Sequence, residues 1–419
     1  MITARKLSNG VSVVMEKIPQ VRSVAIGIYC GTGAVDEEKK YSGISHFVEH
    51  MMFKGTETRS ALDIASEIDR IGGQMNAFTG KEATCYYVKT LSDNYEPAVD
   101  VLSDMLEHSV FEKKELDRER GVINEEIKMG KDAPDDVAHD TLLDVLFEGS
   151  TIANSVTGNR TSLDRITHRV MQEYVTREYA RGSIVISVAG NFDEDEMCSC
   201  FEKRLNSLRP SKPERHYVHA EYRPKYRSVK KDIQQAHICL GTRAIDRNDE
   251  RTYAFQILSN LFGGSMSSRL FQNIRERKGL AYSVFSGAGM FSHDGYFEIY
   301  AGVGQDHIRR AVEGIAEELR GLSIQPITQA ELDSSREQLK SSYAFSQEST
   351  QSRMIVNGRN YLLLGKVFPP EEVIEAYDKV DLEALEEVRQ MIQDFDSYSA
   401  VVVSNKRVNV KSIMEGASK

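Results

Sequence analysis

Residues 42–56 read SGISHFVEHMMFKGT, and within them His46, Glu49 and His50 fall on one short helix. Positions four apart on a helix lie about 40° from each other around the axis, so both imidazoles project from one face. Two imidazoles one turn apart can grip a divalent metal. Glu49, one residue before His50, is placed to reach a water beside that metal rather than the metal itself. Ile44, Phe47, Val48 and Met51 take positions i, i+3, i+4 and i+7 and form the apolar stripe that would bury the helix. Ser42 is placed to cap its start and Gly55 to stop its end.

The order His-x-x-Glu-His inverts the common zinc-protease motif, in which the glutamate is a general base. Two histidines leave a catalytic zinc site incomplete, since three protein ligands and one open position are expected. The segment ELDRERGVINEEIKMG (115–130) offers the third. Glu119 and Glu126 are seven apart and face the same way within about 20°. Val122, Ile123 and Ile127 make that side partly apolar, where an acid would be poorly solvated unless paired or metal-bound. Glu125 has nearly the same spacing. On the residues alone, both Glu125 and Glu126 remain candidates.

Holding two helices in register needs a sizeable scaffold. At 419 residues, two domains are the natural expectation. A formal charge of −10 supplies no basic face for nucleic acid. The longest apolar runs, such as VAIGIYC (24–30), are strand-sized, well short of the roughly 20 residues of a membrane span. The first residues, MITARKLSNGVSVVMEK, carry no apolar core of a secretory signal, so a cytoplasmic location is expected. Cys30, Cys85, Cys198, Cys200 and Cys239 match no common disulfide framework or zinc-thiolate spacing.

The chain repeats itself. CGTGAVDEE (30–38) is echoed by LGTRAIDRN (240–248), with Asp36 and Asp246 separated by 210 positions. Glu115-Leu116-Asp117 recurs as Glu331-Leu332-Asp333, 216 further on. Between the copies, 206–228 is rich in proline and charge and reads as a linker. Domains are therefore expected over 1–205 and 229–419. Each copy runs from an alternating, aromatic-rich strand to a helix, then further strands, then long amphipathic helices. This predicts an α+β class, two homologous domains each with a mostly antiparallel sheet and helices on one face.

Duplication also separates scaffold from chemistry. The 210 offset carries His46, Glu49 and His50 onto Gln256, Ser259 and Asn260, and the 216 offset carries Glu126 onto Ser342. The second copy keeps the helices and loses every candidate ligand, so the histidines are not required to build the fold.

His46-x-x-Glu49-His50, followed 76 residues later by Glu126 with Glu119 seven before it, resembles the pitrilysin family of metallopeptidases. Within it the likeness is to mitochondrial processing peptidase and its bacterial relatives, over essentially the whole chain. The resemblance implies that His46, His50 and Glu126 bind one zinc per chain, that Glu49 is the general base, and that Glu119 supports a ligand. It thereby favours Glu126 over Glu125. It further implies that a peptide or unfolded polypeptide adds as a β-strand along GGQMNAFTGKEATCYY (72–87), meeting Asn76 and Ala77. Arg275 and Tyr282, in SSRLFQNIRERKGLAYSVFS, would hold the substrate and its scissile carbonyl. Asp136 and Asp140, ten and fourteen beyond the third ligand, match acids that favour arginine near the cut, although Asp136 is shorter than the usual glutamate. A homodimer is implied as the working unit, because the chain matches half of the family's four-domain chamber. The function expected is zinc-dependent endopeptidase. The alternative is a non-catalytic subunit or assembly protein on the same fold, a kind of member that typically lacks part of the ligand set.

Overall fold

In SVVMEK, Val13 and Met15 point one way and Val14 the other, and all three are fully buried. A strand with no wet face must be covered on both sides. The architecture follows from how this chain covers it. The computed structural model describes residues 2–206, 208, 209, 217, 219 and 221–419.

Two compact units form. The first comprises Met1–Ile127, Asn154–His216 and Ala344–Pro370, and the second Lys128–Ala153, Tyr217–Tyr343 and Glu371–Lys419. Each unit thus takes one segment from the opposite half of the chain. The linker expected over 206–228 lies in part outside the described residues (207, 210–216, 218 and 220), and a strand already begins at Tyr226.

The first unit's strands are β1 (Ile2–Lys6), β2 (Ser12–Lys17), β3 (Ser23–Cys30), β4 (Gln74–Thr79), β5 (Thr84–Leu91) and β6 (Ile184–Gly190). They form one sheet in the order β1-β2-β6-β3-β5-β4, antiparallel except between β2 and β6. The second unit's strands are β7 (Tyr226–Lys230), β8 (Gln235–Ala244), β9 (Ala281–Met290), β10 (Gly295–Gly304) and β11 (Ser399–Ser404). Their order, β7-β11-β8-β10-β9, repeats the first sheet without β1, and its single parallel pair, β7 with β11, stands where β2 and β6 pair. The α+β class with two homologous, mostly antiparallel sheets is what the sequence led us to expect.

Helices of the first half are α1 (Ile44–Met52), α2 (Ala61–Arg70), α3 (Tyr95–His108), α4 (Lys113–Asp132), α5 (Pro134–Leu146), α6 (Arg160–Leu163), α7 (His168–Glu178) and α8 (Glu194–Glu202). Those of the second half include α9 (Thr252–Ser259), α10 (Ile308–Ile324), α11 (Gln329–Ser346) and α12 (Thr350–Leu364). Among the described residues no helix is long and apolar enough to cross a membrane.

One face of the first sheet packs its Val13, Met15, Ile26 and Ile28 against Phe47, Val48 and Met51 of α1, Leu102 of α3 and Ile123 of α4. The opposite face carries Val14, Ala25, Tyr29 and Val185, and it too is closed, by Met354 of α12. The sequence pattern pointed to helices on one face only; the cover on the other comes from the far half of the chain, 167 positions beyond Ser187 and 326 beyond Tyr29. Gly358 lets α12 lie close, since a Cβ there would come within 2.4 Å of the Tyr29 ring. Tyr29 and Ser187 donate to the carbonyls of Ile355 and Met354 at 2.9 and 2.7 Å. Buried Glu16 accepts from Arg353 and Asn357. In the second unit α5 plays the reciprocal part, packing on β8 and β11 with Leu142 over Gly241.

A pair of arginines records the duplication in atomic detail. Arg120 donates to the carbonyls of Leu163 and Ile166 and to Asp117. Arg336, 216 positions later, donates to the carbonyls of Tyr377 and Val380 and to Asp333. Structural contacts survive in both copies, and the candidate ligands do not.

Candidate metal centre

α1 begins at Ile44 behind Gly43, whose backbone is left-handed (φ 92°) and which has no capping side chain. Ser42 does not cap the helix; its hydroxyl donates to the Ser155 carbonyl instead. The cap comes from Glu37, whose carboxylate accepts the N–H groups of Gly43 and Ser45 at 2.7 and 2.8 Å. Those donors would otherwise be orphaned in a dry interior, and the negative charge suits the helix N-terminus. Only glycine fits position 43, because a Cβ there would lie 2.9 Å from the Gly158 backbone. Below, the Tyr174 hydroxyl bridges Ser45 and Thr32 at 2.8 Å each. α1 is therefore fixed before its first histidine.

His46 and His50 sit one turn apart with ring centroids separated by 4.6 Å. Glu126, on α4, points at both. Its Oε2 lies 3.8 Å from His46 Nε2 and 3.5 Å from His50 Nε2. Tetrahedral bonds of about 2.1 Å put neighbouring ligand atoms about 3.4 Å apart, so the three atoms already have nearly the right spread. Among the described residues this is the only cluster of its kind. It also selects Glu126 as the acid that converges with the histidines.

The donor chemistry fits a cation. Burial, and then the charge of the His50 ring, push His46 down to about 4, so it is neutral near pH 7 and its lone pair is free. Among the described residues its buried Nδ1 has no partner, and its Nε2 is beyond hydrogen-bond distance of Glu126. The nitrogen turned toward Glu126 is therefore unprotonated or free to shed its proton, as a metal ligand must be.

His50 is steadied from behind. Its Nδ1 meets Glu119 Oε2 at 3.2 Å, and Lys54 Nζ pairs with the other Glu119 oxygen at 2.8 Å. An imidazole that gives its far N–H to a carboxylate presents its other nitrogen in a fixed direction.

Glu49 stands apart from the ligands. Burial raises its carboxyl above the ordinary range, and a hydrogen bond from Thr79 Oγ1 at 2.5 Å works against that rise. Thr79 ends β4, the outermost strand of its sheet, paired only with β5. The free edge of β4 therefore passes beside Glu49. Asn76 and Ala77 lie on this edge, and Asn76 Oδ1 accepts the Ala77 N–H at 2.8 Å.

The remaining expected residues belong to the second unit. Arg275 and Tyr282 are neighbours there, the guanidinium carbon 5.8 Å from the Tyr282 ring and 4.6 Å from Phe271. Tyr282 is 74% exposed. Asp136 and Asp140 are exposed on α5, where Pro134 opens the helix and Asp135 and Asp136 fill its first turn.

Sequence reasoning overlooked Thr79, Lys54 and Glu37. Thr79 had a signal, since it is two residues beyond Ala77 and so shares its strand face. Glu37 and Lys54 had none, because each acts through a contact that only the fold creates.

The chain matches two family descriptions in succession, insulinase (peptidase family M16) over residues 12–160 and the peptidase M16 inactive domain over 165–339. It is 42% identical over 404 residues to the uncharacterized zinc protease YmxG of Bacillus subtilis (strain 168), covering 96% of this chain and 98% of that one. A protease from Helicobacter pylori shares the fold at 20% identity, with a TM-score of 0.89 over 96% of this chain and 99% of its own. A chain of complex III2 from Candida albicans does so at 17% identity, with a TM-score of 0.87 over the whole of both chains. These two likenesses establish architecture alone. The family matches cover most of the chain, with the metal cluster in the first and its ligand-free counterpart in the second. The chain belongs to peptidase family M16, the insulinase family.

Proposed function

We propose that the protein is a zinc metalloendopeptidase that cleaves peptides laid along the β4 edge. The observation that carries this is the convergence of His46, His50 and Glu126 within 4.8 Å of one another, with Glu49, on the same helix as the histidines, hydrogen-bonded to Thr79 at the end of β4. The three ligands would hold the ion. Zinc, when bound, supplies Lewis acidity and brings the pKa of a water down towards about 7.

The chain's own residues do the rest. The edge N–H and C=O groups of β4 pair with an extended substrate, so affinity does not hang on one substrate side chain. Glu49, kept in place by Thr79, takes a proton from the attacking water as its oxygen bonds to the scissile carbonyl carbon. The same carboxyl then delivers that proton to the leaving nitrogen as the C–N bond breaks. Tyr282, with Arg275 against its ring, is the donor suited to the oxyanion.

What favours an enzyme over a non-catalytic subunit of the same fold is the retention of His46, Glu49, His50 and Glu126 together. The test is metal content and cleavage of a mixed peptide library, wild type beside Glu49→Gln. About one zinc per chain in both, with cleavage by the wild type alone, is the expected result. Metal in both without cleavage by either overturns the enzyme; no metal in either overturns the site.

The working unit proposed is a homodimer. Mixing Glu49→Gln chains with Tyr282→Phe chains should restore part of the activity. No restoration in a sample shown to be dimeric would exclude sharing of these residues between chains.

A further inference from the structure

Glu119 is a buried acid, 4% exposed, with a different partner on each oxygen. Oε2 meets His50 Nδ1 at 3.2 Å and Oε1 meets Lys54 Nζ at 2.8 Å. A carboxylate is planar, so anchoring one oxygen sets the direction of the other. Lys54 leaves the turn that follows α1, where its N–H reaches the Met51 carbonyl, and Glu119 comes from α4. The contact therefore ties the ligand-bearing helix to the helix that carries Glu126. Among the described residues His46 has no equivalent support.

The duplicated unit supplies an independent observation. At the 210 offset Lys54 becomes Gly264, and at the 216 offset Glu119 becomes Ser335. The lysine is lost with the ligands, whereas Arg120 keeps both its identity and its contacts as Arg336. A Cβ on Gly264 would come within 2.4 Å of Asn260 Oδ1, the residue that stands for His50. Where the metal ligands disappear, the lysine's position is a glycine packed against the residue that replaces His50.

We propose that Lys54 is a positioning residue of the metal centre: through Glu119 it sets the direction of the His50 ring, and with it the affinity of the site for zinc. The inference rests on the zinc reading of His46, His50 and Glu126. It has a sign that simple electrostatics does not share. A cation near a dication's site weakens binding by repulsion, so removing the lysine would tighten it. Loss of positioning weakens it, by the ten- to hundredfold common for residues behind a metal ligand.

The experiment uses the full-length protein, stripped of metal and titrated with zinc against a chromophoric chelator, with metal-free melting temperatures measured in parallel. Lys54→Met should weaken zinc binding about tenfold or more, Lys54→Arg should stay within about threefold of wild type, and Lys54→Met should add nothing in a Glu119→Gln background. Should Lys54→Met fail to fold, Lys54→Gln, too short to span the same gap, carries the same expectation. Equal or tighter binding by these variants overturns the proposal, as does an equal loss with and without Glu119. If the wild type itself binds no zinc, the metal reading falls and this inference with it; if the wild type binds and the variants match it, only the inference falls.

Discussion

Asn260 donates to Ser335 at 2.9 Å, at the two positions that His50 and Glu119 occupy in the first unit. The helix-to-helix contact has been kept and its chemistry exchanged. A carboxylate behind an imidazole orients a ligand, whereas a hydroxyl behind an amide only joins two helices. Gln256, in the place of His46, is likewise occupied, accepting from the Tyr377 hydroxyl. The second unit therefore shows what this scaffold does at these positions when no metal has to be held.

That comparison can be turned into a substitution. Replacing His50 by Asn and Glu119 by Ser together should install the second unit's contact in the first. We expect a protein that melts within about 4 °C of the metal-free wild type and retains no zinc after dialysis. Glu119→Ser alone should melt lower, because it also strands the His50 ring without its partner, whereas Lys54 loses Glu119 in both variants. A double variant no more stable than the single one would show that the two pairs are not interchangeable.

Thr79 tests the role of Glu49 without touching a ligand. Its hydroxyl favours the ionised carboxylate, against burial, which favours the neutral form. Thr79→Val should leave zinc content unchanged and lower kcat about tenfold. It should also move the acidic limb of the pH–rate profile upward, since the Glu49 carboxyl then rises further. A downward move, or none, would mean that Glu49 is not the group titrating in that limb.

The fold was legible where local pattern and duplication carried it. Alternation gave the strands, and two echoes gave the second copy, including the ligand-free positions Gln256, Ser259, Asn260 and Ser342. The ligand pair was legible because i, i+4 spacing on a helix is a local geometric fact. What stayed hidden depended on long-range contacts. Nothing in TQSRMIVNGRNYLLL says that α12 covers a sheet built from residues 2–190, since its pattern fits an ordinary amphipathic helix. Ser42 looked like a cap because serine suits that role; the sequence could not show that Glu37 would be folded onto the same N–H groups. Glu125 and Glu126 point about 100° apart around their helix, but only the fold shows which of those two faces turns toward α1.

Glu37 makes stability depend on pH. Burial pushes its carboxyl up to about 7, although two backbone N–H groups and the Ser45 hydroxyl oppose the rise. The folded state thus holds this proton more tightly than the unfolded chain, whose carboxyl titrates near 4.5. The stability is fully present below about pH 4.5 and is lost as pH rises through about 7, by about 3 kcal/mol at most. Glu37→Gln, uncharged throughout, lacks that loss. In urea melts of metal-free protein between pH 5 and pH 8, the variant should gain on the wild type as pH increases. A constant difference between the two would show that Glu37 stays ionised when buried.

The first unit should not survive without α12. A chain ending at residue 228 would expose Val14, Ala25, Tyr29 and Val185, which Met354 covers. It would also leave Glu16, only 5% exposed, without Arg353 and Asn357. Opening that apolar sheet face to water costs about 25 cal/mol per Å² of apolar surface, against the roughly 5–15 kcal/mol that holds a domain together. We expect the truncated chain to lack a cooperative melt and to bind zinc poorly, although it contains every ligand. Appending residues 344–370 through a flexible linker should restore both properties. In the full-length protein, Arg353→Met should reproduce much of the destabilisation with the ligands intact. If instead the 1–228 chain folds and binds zinc unaided, the sheet's second face needs no cover, and α12 must be retained for something other than stability. Otherwise the metal centre depends on a helix that contributes no ligand to it and lies three hundred residues away in the chain.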